Sequence, residues 1–395
     1  MTSTLSPTDA SLSTEPATRP DVDLFMSIDW DLGLSPRRVA DIHPYPARFI
    51  PEIPATAIEV LDPRGPVLDP FCGSGTTLVE AVRRGLPAVG VDLNPIACLM
   101  SRVKTTPWRP ERDSDLLDVH RAGLVEHATR GSEESDLVDQ IPRIDHWFDP
   151  WAQRVLAGAV SYVHQIPASD PWRDRVALAI SASTVRISRQ ESDTRYAAID
   201  KSIDADDAVR ALNDSLLRIA SWCEAHQAVI AGGTTQIIEG NARSLDGLGE
   251  GTIAACVFSP PYPNAYEYWL YHKYRMYWLG LDPIAVRSNE IGARPYYSGS
   301  GTATKDDFEM EMKEVFDGLH HVLAAGGAVI TIVGDSIIRG EFVDNGEVLA
   351  NAADSAGFDL AASRFRLIRK TSTSFNRHHA RAREGEHVLL FSRRD

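Results

Sequence analysis

Cysteine is scarce in this sequence, and its spacing excludes two kinds of site. The four cysteines, Cys72, Cys98, Cys223 and Cys256, lie far apart in the chain, and no two of them form a Cys-x-x-Cys pair. Structural zinc sites and disulfide frameworks both depend on cysteines at characteristic spacings. We therefore expect no bound metal and no disulfides, and this cysteine usage favours a reducing cytoplasm as the compartment.

Long apolar runs are missing as well. The sequence has no stretch of about 18 apolar residues, so we expect no membrane span. Residues 1–24 also lack the basic start and the apolar core of a secretory signal peptide. Because this segment is rich in serine, threonine and proline, we predict that it forms a disordered tail.

Positive charge is in deficit over the whole chain but not in every part of it. The sequence has 40 Lys and Arg against 55 Asp and Glu, a formal net charge of −15, which by itself disfavours binding to a polyanion. Residues 363–395, however, contain nine basic residues and only three acidic ones. Arg377, His378 and Arg381 in this stretch are candidate contacts for phosphate groups, and a solvated basic segment is the alternative.

A strand–loop–helix–strand pattern is the first positive feature. Val67–Asp69 and Ala88–Asp92 are short apolar runs that each end in an acid. Between them stand a Gly-Ser-Gly turn at 73–75 and a segment with helical spacing at 77–84. This order predicts the beginning of a doubly wound, Rossmann-like α/β sheet that binds a nucleotide.

The rest of the chain divides into three parts by its hydrophobic periodicity. Residues 25–107 and 235–395 show the strands and helices of an α/β domain, whereas residues 108–234 show helical periodicity and no strand pattern. We interpret 108–234 as a helical insertion in that domain and as a candidate target-recognition segment. Helices are predicted over 144–166, 174–187, 207–225, 308–323 and 348–356, and the glycines at 326–327 are predicted to end the helix 308–323. Later strands are predicted over 236–238, 254–258, 328–333, 358–368 and 386–392.

The turn after the first strand resembles a known cofactor motif. It consists of Asp69, Pro70, Phe71, Cys72, Gly73, Ser74, Gly75, Thr76 and Thr77. Small residues between a strand and a helix let a ligand approach the backbone amides, although a tight turn without a ligand is the alternative. The string is similar to the motif Asp-Pro-Phe-x-Gly-x-Gly-Thr-Thr of the amino-methyltransferases that modify DNA.

This resemblance implies S-adenosylmethionine as the cofactor and assigns further residues to it. The segment 43–49 resembles the part of such enzymes that closes over the ligand, which makes His43 and Tyr45 cofactor residues. Asp92 is then the acid that binds the ribose hydroxyls, with Asn94 beside it, and a helix cap is the alternative role. Asn241 stands where an acid commonly meets the adenine amino group, or it forms a simple turn.

Ser259, Pro260, Pro261 and Tyr262 directly follow an apolar run and are the predicted catalytic loop. An exocyclic base amine is a poor nucleophile because its lone pair is delocalised into the ring. The Ser259 hydroxyl and the Pro260 carbonyl can each accept one of its N–H groups, while two prolines stiffen the loop. Tyr262 offers a flat face for a base taken out of the double helix, and a rigid turn is the alternative.

The resemblance also implies an activity, a fold and partners. The Ser-Pro-Pro-Tyr variant is typical of enzymes that methylate cytosine N4 in DNA, whereas Asn or Asp in first place is typical of adenine N6 enzymes. The cofactor motif precedes the catalytic motif here, which departs from many circularly permuted Ser-variant enzymes and leaves the subclass open. The implied fold is a sheet of about seven strands with the last one antiparallel. The implied partners are double-stranded DNA and, in a restriction-modification or other defence system, a cognate nuclease.

Other interpretations of the same residues stay open. A methyltransferase acting on adenine N6, on RNA or on a protein amide could use a similar loop, and a non-catalytic DNA-binding subunit could retain the fold. A nicotinamide-dependent oxidoreductase would need a different glycine spacing. Arg186, Arg189 and Arg195 are candidate contacts to base edges in the major groove, with a solvated helix end as the alternative.

Overall fold

The structure is a computed structural model that describes residues 19–32, 42–132, 136–193, 195–230, 233–263, 266–297, 301–367 and 385–395. Its strands are β1 (Val67–Asp69), β2 (Ala88–Asp92), β3 (Gln190–Ser192), β4 (Arg195–Ala198), β5 (Thr235–Glu239), β6 (Ile253–Phe258), β7 (Leu323–Gly334), β8 (Ser336–Ile338), β9 (Glu341–Val343), β10 (Phe358–Leu367) and β11 (Gly385–Arg393).

Seven of these strands form one central sheet in the order β10-β11-β7-β6-β1-β2-β5. β1 pairs in parallel with β2 and β6, β2 with β5, and β6 with β7. β11 is antiparallel to both of its neighbours, β7 and β10. The predicted α/β class, with about seven strands and the last one antiparallel, is confirmed.

Helices cover both faces of this sheet. They are α1 (Val22–Ser27), α2 (Glu52–Leu61), α3 (Thr76–Arg83), α4 (Pro95–Thr105), α5 (Pro110–Arg130), α6 (Asp136–Gln140), α7 (Ile144–Trp147), α8 (Pro150–Gln165), α9 (Pro171–Ile187), α10 (Ala205–Ala225), α11 (Gln227–Ile230), α12 (Tyr268–Trp278), α13 (Pro283–Asn289), α14 (Arg294–Tyr297), α15 (Lys305–Val322) and α16 (Asn345–Ser355).

Two hydrophobic clusters correspond to the two faces of the sheet. Successive residues of β7 alternate between them, since Ile330 and Ile332 pack in one cluster and Val329 and Val333 in the other. The first cluster also holds side chains of α2, α4, α8, α9 and α10, and the second holds those of α15 and α16. A strand that is buried on both faces has apolar side chains on both of them, which explains why the sequence of β7 is one apolar run.

The segment between α4 and β5 contains strands that the sequence did not predict. Besides α5 to α11, it contains the antiparallel pair β3–β4, which is formed by the polar residues that directly follow α9. Each strand is only three or four residues long, and all four residues of β4 are exposed. Because no buried face requires alternating apolar residues there, the hairpin has no hydrophobic pattern to detect.

Two predicted helix bounds are wrong for identifiable reasons. The predicted helix 144–166 is two helices, α7 and α8, because Pro150 occupies the first turn of α8 and the preceding Asp149 is extended. The glycines at 326–327 do not stop a helix. α15 already ends at Val322, and both glycines lie in β7.

The predicted disordered tail extends too far into the chain. α1 begins at Val22, the Asp21 side chain accepts a hydrogen bond from Leu24 N at its start, and Phe25 is fully buried. Composition alone missed this short helix because one capping residue and one buried aromatic hold it. Residues 1–18 lie outside the described part of the chain. Within the described residues, no helix combines the length and apolar character that a membrane crossing requires.

Candidate active site

A cavity opens at the carboxyl ends of the central parallel strands. It encloses about 900 Å³, including space open to solvent. Parallel α/β sheets bind ligands at this edge, where the chain leaves each strand for the next connection. The predicted residues that line the cavity are Tyr45, Asp69, Pro70, Phe71, Cys72, Gly73, Ser74, Thr76, Asp92, Asn94, Asn241, Ser259 and Pro261.

The turn after β1 is shaped by two glycines in left-handed conformations. Gly73 has φ 47°, and a Cβ atom there would lie 3.2 Å from the Tyr45 ring. Gly75 has φ 78° and precedes α3, and a Cβ atom would lie 2.8 Å from Ser101 Oγ. Gly75 therefore serves the close packing of α3 on α4. Neither Gly75 nor the fully buried Thr77 lines the cavity.

Asp92 is held by two backbone amides at the end of β2. Its Oδ2 accepts a hydrogen bond from Gly73 N at 2.8 Å, and its Oδ1 accepts one from Asn94 N at 2.8 Å. Each oxygen keeps a second lone pair for a ligand. Burial raises the pKa of Asp92 to about 6, although both amide donors lower it.

Asn94 combines a structural role with a free donor. Its side-chain oxygen caps α4 by accepting from Ile96 N at 3.0 Å. Its Nδ2 group, although buried, has no hydrogen-bond partner. An orphaned donor in the wall of a cavity points to a polar ligand, since buried polar groups are normally paired.

The two predicted residues of the upstream segment have different surroundings. His43 is buried away from the cavity, with Nδ1 2.7 Å from Pro44 O and Nε2 2.8 Å from the Ser181 hydroxyl of α9. Its pKa is well below the usual value, chiefly because of burial. Tyr45 lines the cavity, and its ring stacks with the Tyr268 ring at 5.6 Å between centroids. His43 thus connects this segment to α9, and Tyr45 forms part of the wall.

Asn241 lies on the far side of the cavity, after β5. Its Oδ1 accepts a hydrogen bond from Arg243 N at 3.0 Å, so the side chain stabilises a turn. The lining around it includes residues that no sequence motif indicated, among them Val286, Glu290 and Ile291. These residues belong to the connection that contains α13, and only the folded chain brings them to this edge.

Three carboxyl groups in the cavity wall have raised pKa values. Burial raises the pKa of Asp69 to about 7 and that of Glu290 to about 8, as it raises that of Asp92 to about 6. Glu290 also accepts hydrogen bonds from the first amides of α12, at Tyr268 N and Trp269 N. Desolvated carboxyl groups favour a ligand that carries positive charge, because such a ligand compensates the loss of water around the anion.

The predicted catalytic loop follows β6 at the same edge. Ser259 and Pro261 line the cavity, whereas Pro260 is buried beneath them. The Tyr262 ring packs over Gly334, the last residue of β7, so that a Cβ atom at Gly334 would lie 3.0 Å from the ring. The Tyr262 ring is therefore in close contact with the backbone at Gly334.

The Tyr262 hydroxyl makes contacts that the sequence did not suggest. It donates a hydrogen bond to Glu386 Oε1 at 3.1 Å and lies 3.4 Å from Ser259 Oγ. Glu386 Oε2 in turn accepts from Arg366 at 3.0 Å. Burial and the nearby Glu386 carboxyl raise the pKa of Tyr262 well above its usual value, which keeps the hydroxyl protonated.

The predicted DNA contacts are only partly available to a ligand. Arg186 is exposed at the end of α9, but Arg189 pairs with Asp149 at 2.8 Å and Arg195 pairs with Glu191 at 2.6 Å. Arg377, His378 and Arg381 lie outside the described residues. Arg189 and Arg195 thus pair with neighbouring acids, which reduces their attraction for phosphate.

One group of described side chains has the composition of a metal site. Asp335, Asp344 and His387 offer ligand atoms within 4.8 Å of one another. His387 Nε2 lies 2.9 Å from Asp335 Oδ1 and 3.4 Å from Asp344 Oδ1, and Asp344 also caps α16. The sequence expectation of no metal did not consider this group, because its members come from three separate elements.

The strand order, the antiparallel β11 and the cavity built from β1, β2, β5 and β6 match the Rossmann-like arrangement expected of the class of S-adenosylmethionine-dependent methyltransferases. The residues present fit the cofactor of this class, S-adenosylmethionine. Asp92 offers acceptors for a diol, Asn94 offers an orphaned donor, and the wall carboxyl groups suit a sulfonium cation.

Sequence comparison finds local similarity to two Type II methyltransferases. The chain is 36% identical over 113 residues to the Type II methyltransferase M.MvaI of Kocuria varians, covering 27% of this chain and 25% of that protein. It is 36% identical over 89 residues to the Type II methyltransferase M.MjaII of Methanocaldococcus jannaschii, covering 20% and 17%. The chain thus spans about a quarter or less of the length of these relatives.

Solved structures give more remote likenesses. TrmN from Thermus thermophilus matches at 11% identity and a TM-score of 0.34, covering 87% of this chain and 49% of that one. A SAM-dependent methyltransferase from Methanosarcina mazei matches at 9% identity and a TM-score of 0.32, covering 83% and 92%. No family model matches the chain.

Proposed function

We propose that the protein is a DNA methyltransferase that transfers a methyl group from S-adenosylmethionine to the exocyclic N4 amine of cytosine after flipping the base out of the duplex. One observation carries the proposal. A single cavity is lined both by the residues of the cofactor motif, including Asp92, and by Ser259 and Pro261 of the Ser-Pro-Pro-Tyr loop. Donor and acceptor sites that share one cavity are what a direct methyl transfer needs.

The loop residues would prepare the amine for attack. The Ser259 hydroxyl and the Pro260 carbonyl accept the two N–H groups of the amine, which draws its lone pair out of the aromatic ring. Pro261 lacks an N–H donor and limits the motion of the loop. S-adenosylmethionine supplies, when bound, an electrophilic methyl group. The Asp92 carboxylate holds the ribose hydroxyls, and Asn94 Nδ2 donates to the same end of the ligand.

Cytosine N4 is the preferred acceptor because serine occupies the first position of the loop. This preference rests on the resemblance of the Ser-Pro-Pro-Tyr variant to cytosine N4 enzymes, and both relatives are named Type II methyltransferases without a stated base. Adenine N6 is the alternative, and the experiment below distinguishes the two bases.

Segment 108–234 is the proposed target-recognition part of the protein. It contributes helices to the core beside α4, and it presents the exposed Arg186 at the end of α9. Since Arg189 and Arg195 are paired with acids, Arg186 is the better candidate for a base edge. A restriction endonuclease of matching specificity is the proposed protein partner.

The test is a transfer assay with isotope-labelled S-adenosylmethionine and duplex DNA, followed by digestion to nucleosides and mass analysis. We expect label in N4-methyl-2′-deoxycytidine. Ser259→Ala should lower the rate by about 10- to 100-fold, the value of one hydrogen bond to a group that gains charge, with cofactor affinity nearly unchanged. Ser355→Ala, at an exposed serine at the end of α16, is the matched control.

Each other outcome has a defined meaning. Label only in N6-methyl-2′-deoxyadenosine would overturn the cytosine assignment and leave the proposed DNA methyltransferase activity intact. Label in RNA but not in DNA would overturn the substrate class. No label in either nucleic acid, with the cofactor bound, would favour a non-catalytic DNA-binding subunit.

A further inference from the structure

We propose that Asp335, Asp344 and His387 form a binding site for a divalent transition-metal ion such as Zn²⁺. Carboxylate oxygen and imidazole nitrogen are ligands that this ion accepts. The three residues offer one ligand atom each, and these atoms all lie within 4.8 Å of one another. None of the three is part of the lining of the cavity that holds the cofactor motif, so the site is separate from the proposed active site.

The register of the sheet brings two of the ligands together. His387 of β11 pairs with Val333 of β7, so the two side chains share one face of the sheet. Asp335 stands two residues after Val333 and therefore projects from the same face. Val333 packs in the hydrophobic cluster that contains side chains of α15 and α16. Asp344 is the N-cap residue of α16, which brings the third ligand to this face.

The separations between the ligand atoms suit a single ion. His387 Nε2 lies 2.9 Å from Asp335 Oδ1 and 3.4 Å from Asp344 Oδ1. Zn²⁺ binds nitrogen and carboxylate oxygen at about 2.0–2.2 Å, so two neighbouring ligands around it are about 3.0–3.5 Å apart. Two carboxylates together with a neutral imidazole also balance the charge of a divalent cation.

Unpartnered buried oxygens give independent support for a cation. The Asp335 side chain is fully buried, and its Oδ2 has no hydrogen-bond partner. The fully buried Asn345 donates through Nδ2 to Gly334 O and Ser336 Oγ, and its Oδ1 is likewise unpartnered. A hydrogen bond to His387 satisfies only one oxygen of the Asp335 carboxylate. A bound cation would compensate the whole group for its lost hydration.

The other two ligands are held in position, and one of them is open to solvent. A Cβ atom at Gly346 would lie 2.6 Å from His387 Nδ1, so the first turn of α16 packs directly on the imidazole. The Phe365 ring meets the same imidazole edge-on, at 5.1 Å between centroids. Asp344 Oδ1 accepts a hydrogen bond from Glu347 N. The Asp344 side chain is 31% exposed, which gives an ion access from solvent and room for water ligands.

The ion would fasten three elements beside the predicted catalytic loop. Its ligands come from the end of β7, the cap of α16 and the start of β11. Gly334, the residue before Asp335, is in contact with the Tyr262 ring. Because the unfolded chain does not hold the three ligands together, a bound ion should stabilise the folded protein.

The test measures Zn²⁺ binding to protein freed of metal with EDTA, by isothermal titration calorimetry without DNA or S-adenosylmethionine. The wild type should bind one ion at this site, and Zn²⁺ should raise its melting temperature. Asp335→Asn keeps an acceptor for His387 but removes the charge, so it should weaken this binding by at least about 100-fold and abolish the thermal shift. Asp306→Asn, at an exposed aspartate of α15, is the matched control and should bind like the wild type.

A second variant addresses misfolding. Asp344→Asn retains the cap of α16, since asparagine caps helices as well as aspartate does, and it should cause a similar loss of binding. Equal Zn²⁺ binding by the wild type and by a folded Asp335→Asn or Asp344→Asn protein would overturn the inference, because the ion would then bind elsewhere. A wild-type protein that binds no Zn²⁺ at micromolar concentrations would overturn it as well. Neither result affects the proposed methyl transfer, which the labelling assay tests separately.

Discussion

At the scale of single residues, the site depends on side chains that serve the fold and the ligand together. Asp92 uses one oxygen for Gly73 N and the other for Asn94 N, which connects the turn after β1 to the turn after β2. The same carboxyl faces the cavity. Its orientation is therefore fixed before a ligand binds, and binding costs little side-chain entropy.

Asp92→Asn should weaken the binding of S-adenosylmethionine by about 10- to 100-fold. An amide has a single acceptor oxygen, so its NH₂ group would face either Gly73 N–H or Asn94 N–H, and a charged acceptor for the ribose would be lost. Isothermal titration calorimetry on both proteins measures the change. Asp206→Asn, at an exposed position of α10, should bind like the wild type. Equal affinity for Asp92→Asn would contradict the assignment of Asp92 to the cofactor.

Residues in contiguous motifs could be predicted, and residues that meet through the fold could not. Asp92 ends one predicted strand and Ser259 directly follows another, and the carboxyl ends of parallel strands meet at one sheet edge. Glu290 and Glu386 come from a loop and an edge-proximal strand, with no motif around them. Their positions depend on the path of the α13 connection and on the register of β11, which a single sequence does not reveal.

At the scale of secondary-structure elements, close helix packing holds segment 108–234 together. α5 and α8 cross at Gly158, where a Cβ atom would overlap the backbone carbonyl of His127. α15 also contains a mid-helix glycine, Gly318, where a Cβ atom would lie 3.4 Å from its nearest neighbours. Both glycines lie within a helix, but only at Gly158 do the neighbouring atoms leave no room for a side chain.

Gly158→Ala should lower the free energy of unfolding by about 1–3 kcal/mol, the usual cost of an added methyl group in a packed interior. Gly318→Ala should instead raise it by up to about 1 kcal/mol, since alanine favours the helix and the methyl group fits. Denaturant unfolding followed by circular dichroism measures both. A Gly158→Ala protein as stable as the wild type would show that α5 and α8 are not in close contact.

Helices and strands could be predicted from the sequence where their burial imposes a regular spacing of apolar residues. The strands β1, β2, β6 and β7 follow from apolar runs because helices cover both faces of the sheet. The exposed hairpin β3–β4 and the break between α7 and α8 are set by local backbone conformation, at a polar turn and at Pro150. Periodicity contains no information on such features.

At the scale of the whole molecule, the cavity couples stability to pH and to cofactor binding. Burial raises the pKa of Asp92 to about 6, of Asp69 to about 7 and of Glu290 to about 8, whereas unfolded Asp and Glu titrate near pH 4. Between pH 4 and 8 these three carboxyl groups therefore bind more protons in the folded protein than in the unfolded chain. The contribution of these groups to stability falls as the pH rises through this range.

A bound cation should reverse this trend, which gives a test that needs no DNA. S-adenosylmethionine carries a permanent positive charge on sulfur, and it interacts most favourably with the wall carboxyl groups once they are ionised. The cofactor should therefore raise the melting temperature more at pH 8 than at pH 6, because its affinity for the folded state is higher there. S-adenosylhomocysteine, which has the same shape but a neutral sulfur, is the matched control and should show a weaker dependence on pH. Thermal unfolding with each ligand at both pH values measures the difference. Equal pH dependence for the two ligands would mean that the ionisation of Asp69, Asp92 and Glu290 is not coupled to the charge on sulfur, and that the cavity recognises the cofactor by shape and hydrogen bonds alone.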